Sequence, residues 1–304
     1  MSLFLRSTYL SAALSLAYIY ALYRSHPYRR IPSVPTLLAF VVGMIAVIPV
    51  VALRRALPLA PIETSALALV TAALLEEAAK FLLAFVSIWH YRFPNIAEPF
   101  DLAIYFGVLG VGFGIYEDFW YIFSTTYPSW VAGDVGRFNE IFRGITLARA
   151  FPGHILFNAI AGFLLGFAFF ASGRKRAAWI AASFLLALVL HVGFNGIAIV
   201  GESPLLLAYI VLLVGVFLGI RRRLKEQSPF AMLIRRVEGE SDAWRLQRSP
   251  ASYLFADGFD WPAERRGGLF QFYPVVLSLC ILFPLLLIGV YFVNRALLWG
   301  AGSG

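Results

Sequence analysis

The strongest constraint on this chain is charge placed inside an apolar run. From about Pro61 to Trp89 the residues read as a membrane span, yet Glu76, Glu77 and Lys80 fall near its middle. A charge at the centre of a transmembrane helix costs roughly 2.5–3.5 kcal/mol on insertion scales. Three charges within one helical turn mark a functional site rather than a filler segment.

Composition places the rest of the chain in lipid as well. It is 60% hydrophobic and only 14% charged, with a mean hydropathy of +0.78. A soluble domain carries about 25% charged residues. Eight apolar segments reach spanning length, at roughly 4–23, 36–53, 63–89, 100–124, 144–172, 177–200, 203–220 and 272–298. The expected fold is therefore all-α, a polytopic transmembrane helix bundle with its active site within the bilayer. Residues 1–220 form a seven-helix core whose catalytic spans cover about 63–200. Residues 221–271 are a basic cytoplasmic loop, and 272–298 are an additional C-terminal span. The single cysteine, Cys280, excludes an intrachain disulfide and a cysteine-based zinc site.

The net charge of +8 follows topology and does not point to nucleic acid. One set of alternate loops carries 17 basic residues and the other carries 4. The positive-inside rule makes the first set cytoplasmic and places both termini outside. Arg54 and Arg55 run against this rule.

Further polar residues recur in the later spans. Glu117 and Asp118 sit in the fourth, His154 and Asn158 in the fifth, His191 and Asn195 in the sixth. The last two spans share the pattern His-x-x-Phe-Asn, which puts His and Asn on one helix face. There the Asn can orient the histidine ring or a substrate carbonyl. Depth was measured at 1.5 Å per residue from the cytoplasmic end of each span. Glu76 lies at about 20 Å, Glu117 at about 25 Å, His154 at about 27 Å and His191 at about 21 Å. The helices alternate in direction, so a shared layer points to one site built from four helices. His26 and His90 sit at span ends and are not read as ligands.

Ionised, Glu76, Glu77, Glu117 and Asp118 carry a formal −4, and Lys80 brings this to −3. Such a charge is not tolerable in low dielectric. Some carboxylates are protonated, a divalent cation is present, or Asp118 faces water. His154, His191 and Glu117 form a His₂Glu set of the kind found in hydrolytic zinc sites, with Glu77 or Glu76 as the base for a bound water. Glu76 and Lys80, four apart, are expected to pair and leave Glu77 free, although Glu77 and Lys80 at three apart can pair too. A transporter coupled to ions or protons is the alternative, because buried carboxylates and histidines also line ion pathways.

Glu-Glu-x-x-Lys, then Glu117, then His154 and His191 with Asn195, in that order along 63–200, resembles the PrsW family of bacterial intramembrane proteases. More distantly it is similar to the CAAX-processing and bacteriocin-processing membrane proteases. The resemblance implies hydrolysis of a peptide bond in a membrane-anchored substrate at the bacterial cell membrane, with lipid as the surrounding partner. It also implies a link to anti-sigma factors. Carried over residue by residue, the functional positions are Glu76, Glu77, Glu117, His154 and His191. The resemblance implies either a zinc-dependent or a metal-free, glutamate-type mechanism.

Overall fold

The computed structural model describes residues 3–26, 33–57, 65–89, 96, 98–149, 153–200 and 203–227. Among them are eight α-helices and no strand. They are α1 (Leu3–Ser25), α2 (Ser33–Ala56), α3 (Ala66–Ala84), α4 (Pro99–Val131), α5 (Val135–Arg149), α6 (Gly153–Phe170), α7 (Gly173–Val200) and α8 (Ser203–Gln227). A π-helical turn, Phe85–Trp89, continues α3. The helices α2, α4, α6, α7 and α8 are long and apolar enough to cross a membrane. The fold is an all-α membrane bundle, as the apolar spans require.

Local chemistry accounts for the helix ends. Ser65 caps α3, its hydroxyl accepting from the Ala68 N–H at 3.1 Å. At the start of α4 the Glu98 N–H donates to Asp101 Oδ2 at 3.0 Å, as in a capping box. Gly133, at φ +69°, closes α4 in the left-handed region that favours glycine. Asp134 Oδ1 then accepts the Arg137 N–H at 3.0 Å and opens α5.

Of the span expected over 144–172, α5 is described to Arg149 and α6 from Gly153, and residues 150–152 lie outside the described residues. One span differs from expectation. The span expected over 100–124 instead runs to Val131, because its aromatic end remains helical beyond the apolar core. The loop 221–271 lies outside the described residues save for the end of α8, and the span 272–298 lies outside them entirely.

The central helix is α4, which packs mainly on α6, α2 and α1. Glycine makes these contacts close. A Cβ on Gly110 would stand 2.5 Å from the His154 carbonyl oxygen, and one on Gly162 would stand 2.5 Å from that of Leu102. Gly166 meets the Pro99 backbone, while Gly43 of α2 and Gly112 of α4 face each other's helices in the same way. Small residues let helices approach where lipid gives no hydrophobic drive for association. The α4–α6 seam therefore brings His154 against the helix that carries Glu117.

Candidate active site

The site is assembled from α2, α3, α4, α6 and α7. Helix α3 buries Glu76, Glu77 and Lys80 on one side. Helix α6 presents His154 one residue after its start and buries Asn158 a turn later. Helix α7 presents a buried His191, and α4 contributes a partly buried Glu117. Residues from these four helices thus meet at one place, and α2 adds Arg54.

The charge pairing on α3 corrects the sequence-based expectation. Lys80 pairs with Glu77 and not with Glu76, with Nζ 2.5 Å from Glu77 Oε1 and both side chains fully buried. Glu76 takes its cation from another helix. Arg54 of α2 donates from its guanidinium to Glu76 Oε1 at 2.6 Å. Arg54, which stood out only as an exception to loop charge, is therefore part of the site. The helical spacing of three or four could not choose between the glutamates, and a guanidinium 22 residues away decides it.

The glutamates and histidines are interlocked. His191 Nδ1 lies 2.7 Å from Glu77 Oε1 and its Nε2 lies 3.5 Å from Glu76 Oε2. An ionised carboxylate only accepts, so Nδ1–H donates to Glu77, while Nε2 stands beside Glu76 without a hydrogen bond to it. His154 Nδ1 lies 3.1 Å from Lys80 Nζ, and its Nε2 lies 2.8 Å from Glu117 Oε2. The Glu77–Lys80 pair accordingly holds both histidines from behind, by their Nδ1 edges. Both Nε2 atoms face the other two glutamates.

Aromatic rings surround this cluster. Phe157 of α6 stacks on the His191 ring at 4.9 Å and 16°, and Phe113 meets His154 edge-on at 5.1 Å. The Lys80 ammonium lies 4.5 Å from the Phe113 ring centroid and 5.5 Å from that of Phe157. These ring contacts favour the cation and keep the surroundings dry. The first phenylalanine of the doubled His-x-x-Phe-Asn pattern therefore positions the histidine of the second.

The asparagines lie near the site without holding the histidine rings. Asn158 Nδ2 donates to the His154 backbone carbonyl at 2.7 Å, within its own helix. Its Oδ1 is buried with no hydrogen-bond partner among the described residues. Asn195 is partly buried, one turn beyond His191.

The donor set fits a metal ion. One ligand atom each from Glu76, His154 and His191 lie within 4.8 Å of one another. Glu117, expected as the third ligand, lies outside that set and touches His154 instead. The Oε2 atoms of both Glu76 and Glu77 are buried with no hydrogen-bond partner among the described residues. Glu76, Glu77 and Glu117 carry a formal −3, which Lys80 and Arg54 bring to −1, so the cluster retains a negative charge that favours a cation.

Comparison with known proteins shows the family to which the chain belongs. The family model described as "PrsW family intramembrane metalloprotease" matches residues 32–220. The chain is similar to a protein named Protease PrsW from Geobacillus kaustophilus (strain HTA426), at 30% identity over 154 residues. That stretch is 50% of this chain and 61% of the relative. No solved structure matches the chain.

Proposed function

Because this chain belongs to the PrsW family of intramembrane metalloproteases, we propose that its buried Glu–Lys–His cluster hydrolyses a peptide bond in a membrane-anchored protein. The observation that carries this reading is the convergence of Glu76, His154 and His191 on one buried point, with Glu117 against His154 and Glu77 and Lys80 behind. The substrate class we assign is a single-span membrane protein such as an anti-sigma factor, cut in or beside its span.

Glu76, His154 and His191 would hold the metal, for which we assign zinc on the nitrogen and oxygen donors. When bound, the ion lowers the pKa of a coordinated water and polarises the scissile carbonyl. Glu77 orients His191 through Nδ1–H, which fixes the ring tautomer and leaves Nε2 as a ligand. Lys80 neutralises Glu77 and stands at the Nδ1 edge of His154. Glu117 is the least buried of the three glutamates, with its side chain 19% exposed. It is our assignment for the group that takes the proton of the attacking water and returns it to the leaving amine. This moves the base away from Glu77, whose Oε1 is shared between Lys80 and His191. Asn158 and Asn195 remain candidates to receive substrate backbone.

The loop-charge asymmetry supports an orientation in the bacterial cell membrane with both termini outside. The cluster then lies in the middle or outer half of the bilayer.

The test is cleavage of a membrane-anchored substrate by the protein reconstituted in liposomes, measured beside metal content. Glu117→Gln is expected to reduce the rate by at least about 10²-fold while metal is retained. Glu76→Gln is expected to lose both. Full activity in Glu117→Gln removes that residue from proton transfer, and full activity in Glu76→Gln refutes the ligand assignment.

A further inference from the structure

A second cluster of ligating side chains lies far from the active site. His26 follows the last residue of α1, and Glu98 and Asp101 open α4. Asp101 and Glu117 are 16 residues apart on α4, which separates the clusters by about 24 Å along its axis. All three side chains are buried, at 0%, 3% and 0% exposure. His26 Nε2 lies 2.8 Å from Glu98 Oε1 and 3.2 Å from Asp101 Oδ1.

We propose that His26, Glu98 and Asp101 form a structural site for a divalent transition-metal ion, with Zn²⁺ as the best match. Three donors of two chemical types converge there, within 4.8 Å of one another. A tetrahedral zinc ion with bonds of about 2.1 Å holds its ligand atoms about 3.4 Å apart. The separations from His26 Nε2, 2.8 and 3.2 Å, are shorter and are hydrogen-bond distances, so an ion enters in place of the Nε2 proton as the two carboxylates draw back.

The surroundings are those of a built site. Asp101 turns Oδ1 to the histidine, while its Oδ2 accepts the Glu98 N–H at 3.0 Å. Outer hydrogen bonds of this kind orient a ligating carboxylate. Phe100 meets the His26 ring edge-on at 5.7 Å and packs on Phe217 of α8 at 5.9 Å, which gives the site an apolar wall. Arg221 Nε donates to the Ser25 carbonyl, so α8 also holds the end of α1 beside the site. The bound ion ties the end of α1 to the start of α4. It is a clamp, and no chemistry is assigned to it.

The decisive experiment is metal stoichiometry of the full chain by mass spectrometry, after incubation with zinc and removal of free metal. The reading is the difference between the parent and Asp101→Asn. The clamp site contributes one ion per chain, so the variant is expected to bind one ion fewer. This difference does not depend on the active site. If the active site binds zinc the counts fall from two to one, and if it does not they fall from one to none. His26→Gln is expected to repeat the loss and replaces Asp101→Asn if that variant does not fold. Equal stoichiometry in parent and folded variant overturns the proposal, as does a parent that binds no ion at all. His26 is then a charged bridge between the two carboxylates.

Discussion

At the scale of the residue, Glu76 and Glu77 are adjacent in sequence but held by different cations. Glu77 is locked by Lys80 and His191 in a fully buried network. Glu76 is anchored by an Arg54 side chain that is 41% exposed. The two anchors should therefore fail differently. Solvent screens the exposed Arg54 end of this pair, and a glutamine there keeps an N–H donor for the buried Glu76. Arg54→Gln is expected to leave folding nearly intact but to lower activity about 10–100-fold, because Glu76 loses the contact that aims it. Lys80→Met strands a buried carboxylate, which costs about 3–5 kcal/mol. Its expected outcome is loss of folded protein, read as yield and thermal midpoint in detergent. An Arg54→Gln enzyme with full cleavage activity, or a stable Lys80→Met protein, would contradict this division. The site residues themselves were legible, because intramembrane charge is costly enough to be noticed wherever it occurs. Their partners were not, since Lys80 lies within reach of both glutamates and Arg54 belongs to a different helix.

At the scale of the element, the site depends on how closely α4 and α6 approach. Gly110 abuts the His154 carbonyl, whereas a Cβ on Gly114 would meet nothing nearer than His154 Cδ2 at 3.9 Å. These two glycines share a helix and a four-residue spacing, so sequence alone does not tell them apart. The structure separates them. Gly110→Leu forces α6 away and carries His154 with it, so cleavage is expected to be abolished. Gly114→Ala adds a methyl group at ordinary contact distance, and activity is expected to stay within about threefold of the parent. Cleavage assays on both variants, with equal membrane levels confirmed by blotting, check the pair. A tolerated Gly110→Leu would mean that the seam does not position the histidine.

At the scale of the whole molecule, loop charge and intramembrane charge answer to different demands. The depth estimate placed Glu76, Glu117, His154 and His191 in one layer from spans that alternate in direction, and the structure brings these residues together. That agreement needed only helix rise and span ends, which is why the site was legible while individual boundaries shifted. Arg54 looked like an exception to the positive-inside pattern because the count treated every basic residue as a topological one. Held by Glu76, it belongs to the active-site layer, and its charge is matched by a carboxylate. Orientation should therefore not depend on it. With Cys280 replaced by serine, single cysteines near Ser2 and within the first turn of α7 (173–176) report on sidedness through a membrane-impermeant thiol reagent. The first is expected to be labelled in intact spheroplasts and the second only after lysis. Arg54→Gln should leave that pattern unchanged, whereas replacing Arg174, Lys175 and Arg176 with glutamine weakens the charge bias that retains this end of α7 on the inner side. Inverted labelling of the parent would put the hydrolytic layer in the inner half of the bilayer and redirect the search for substrates to that face.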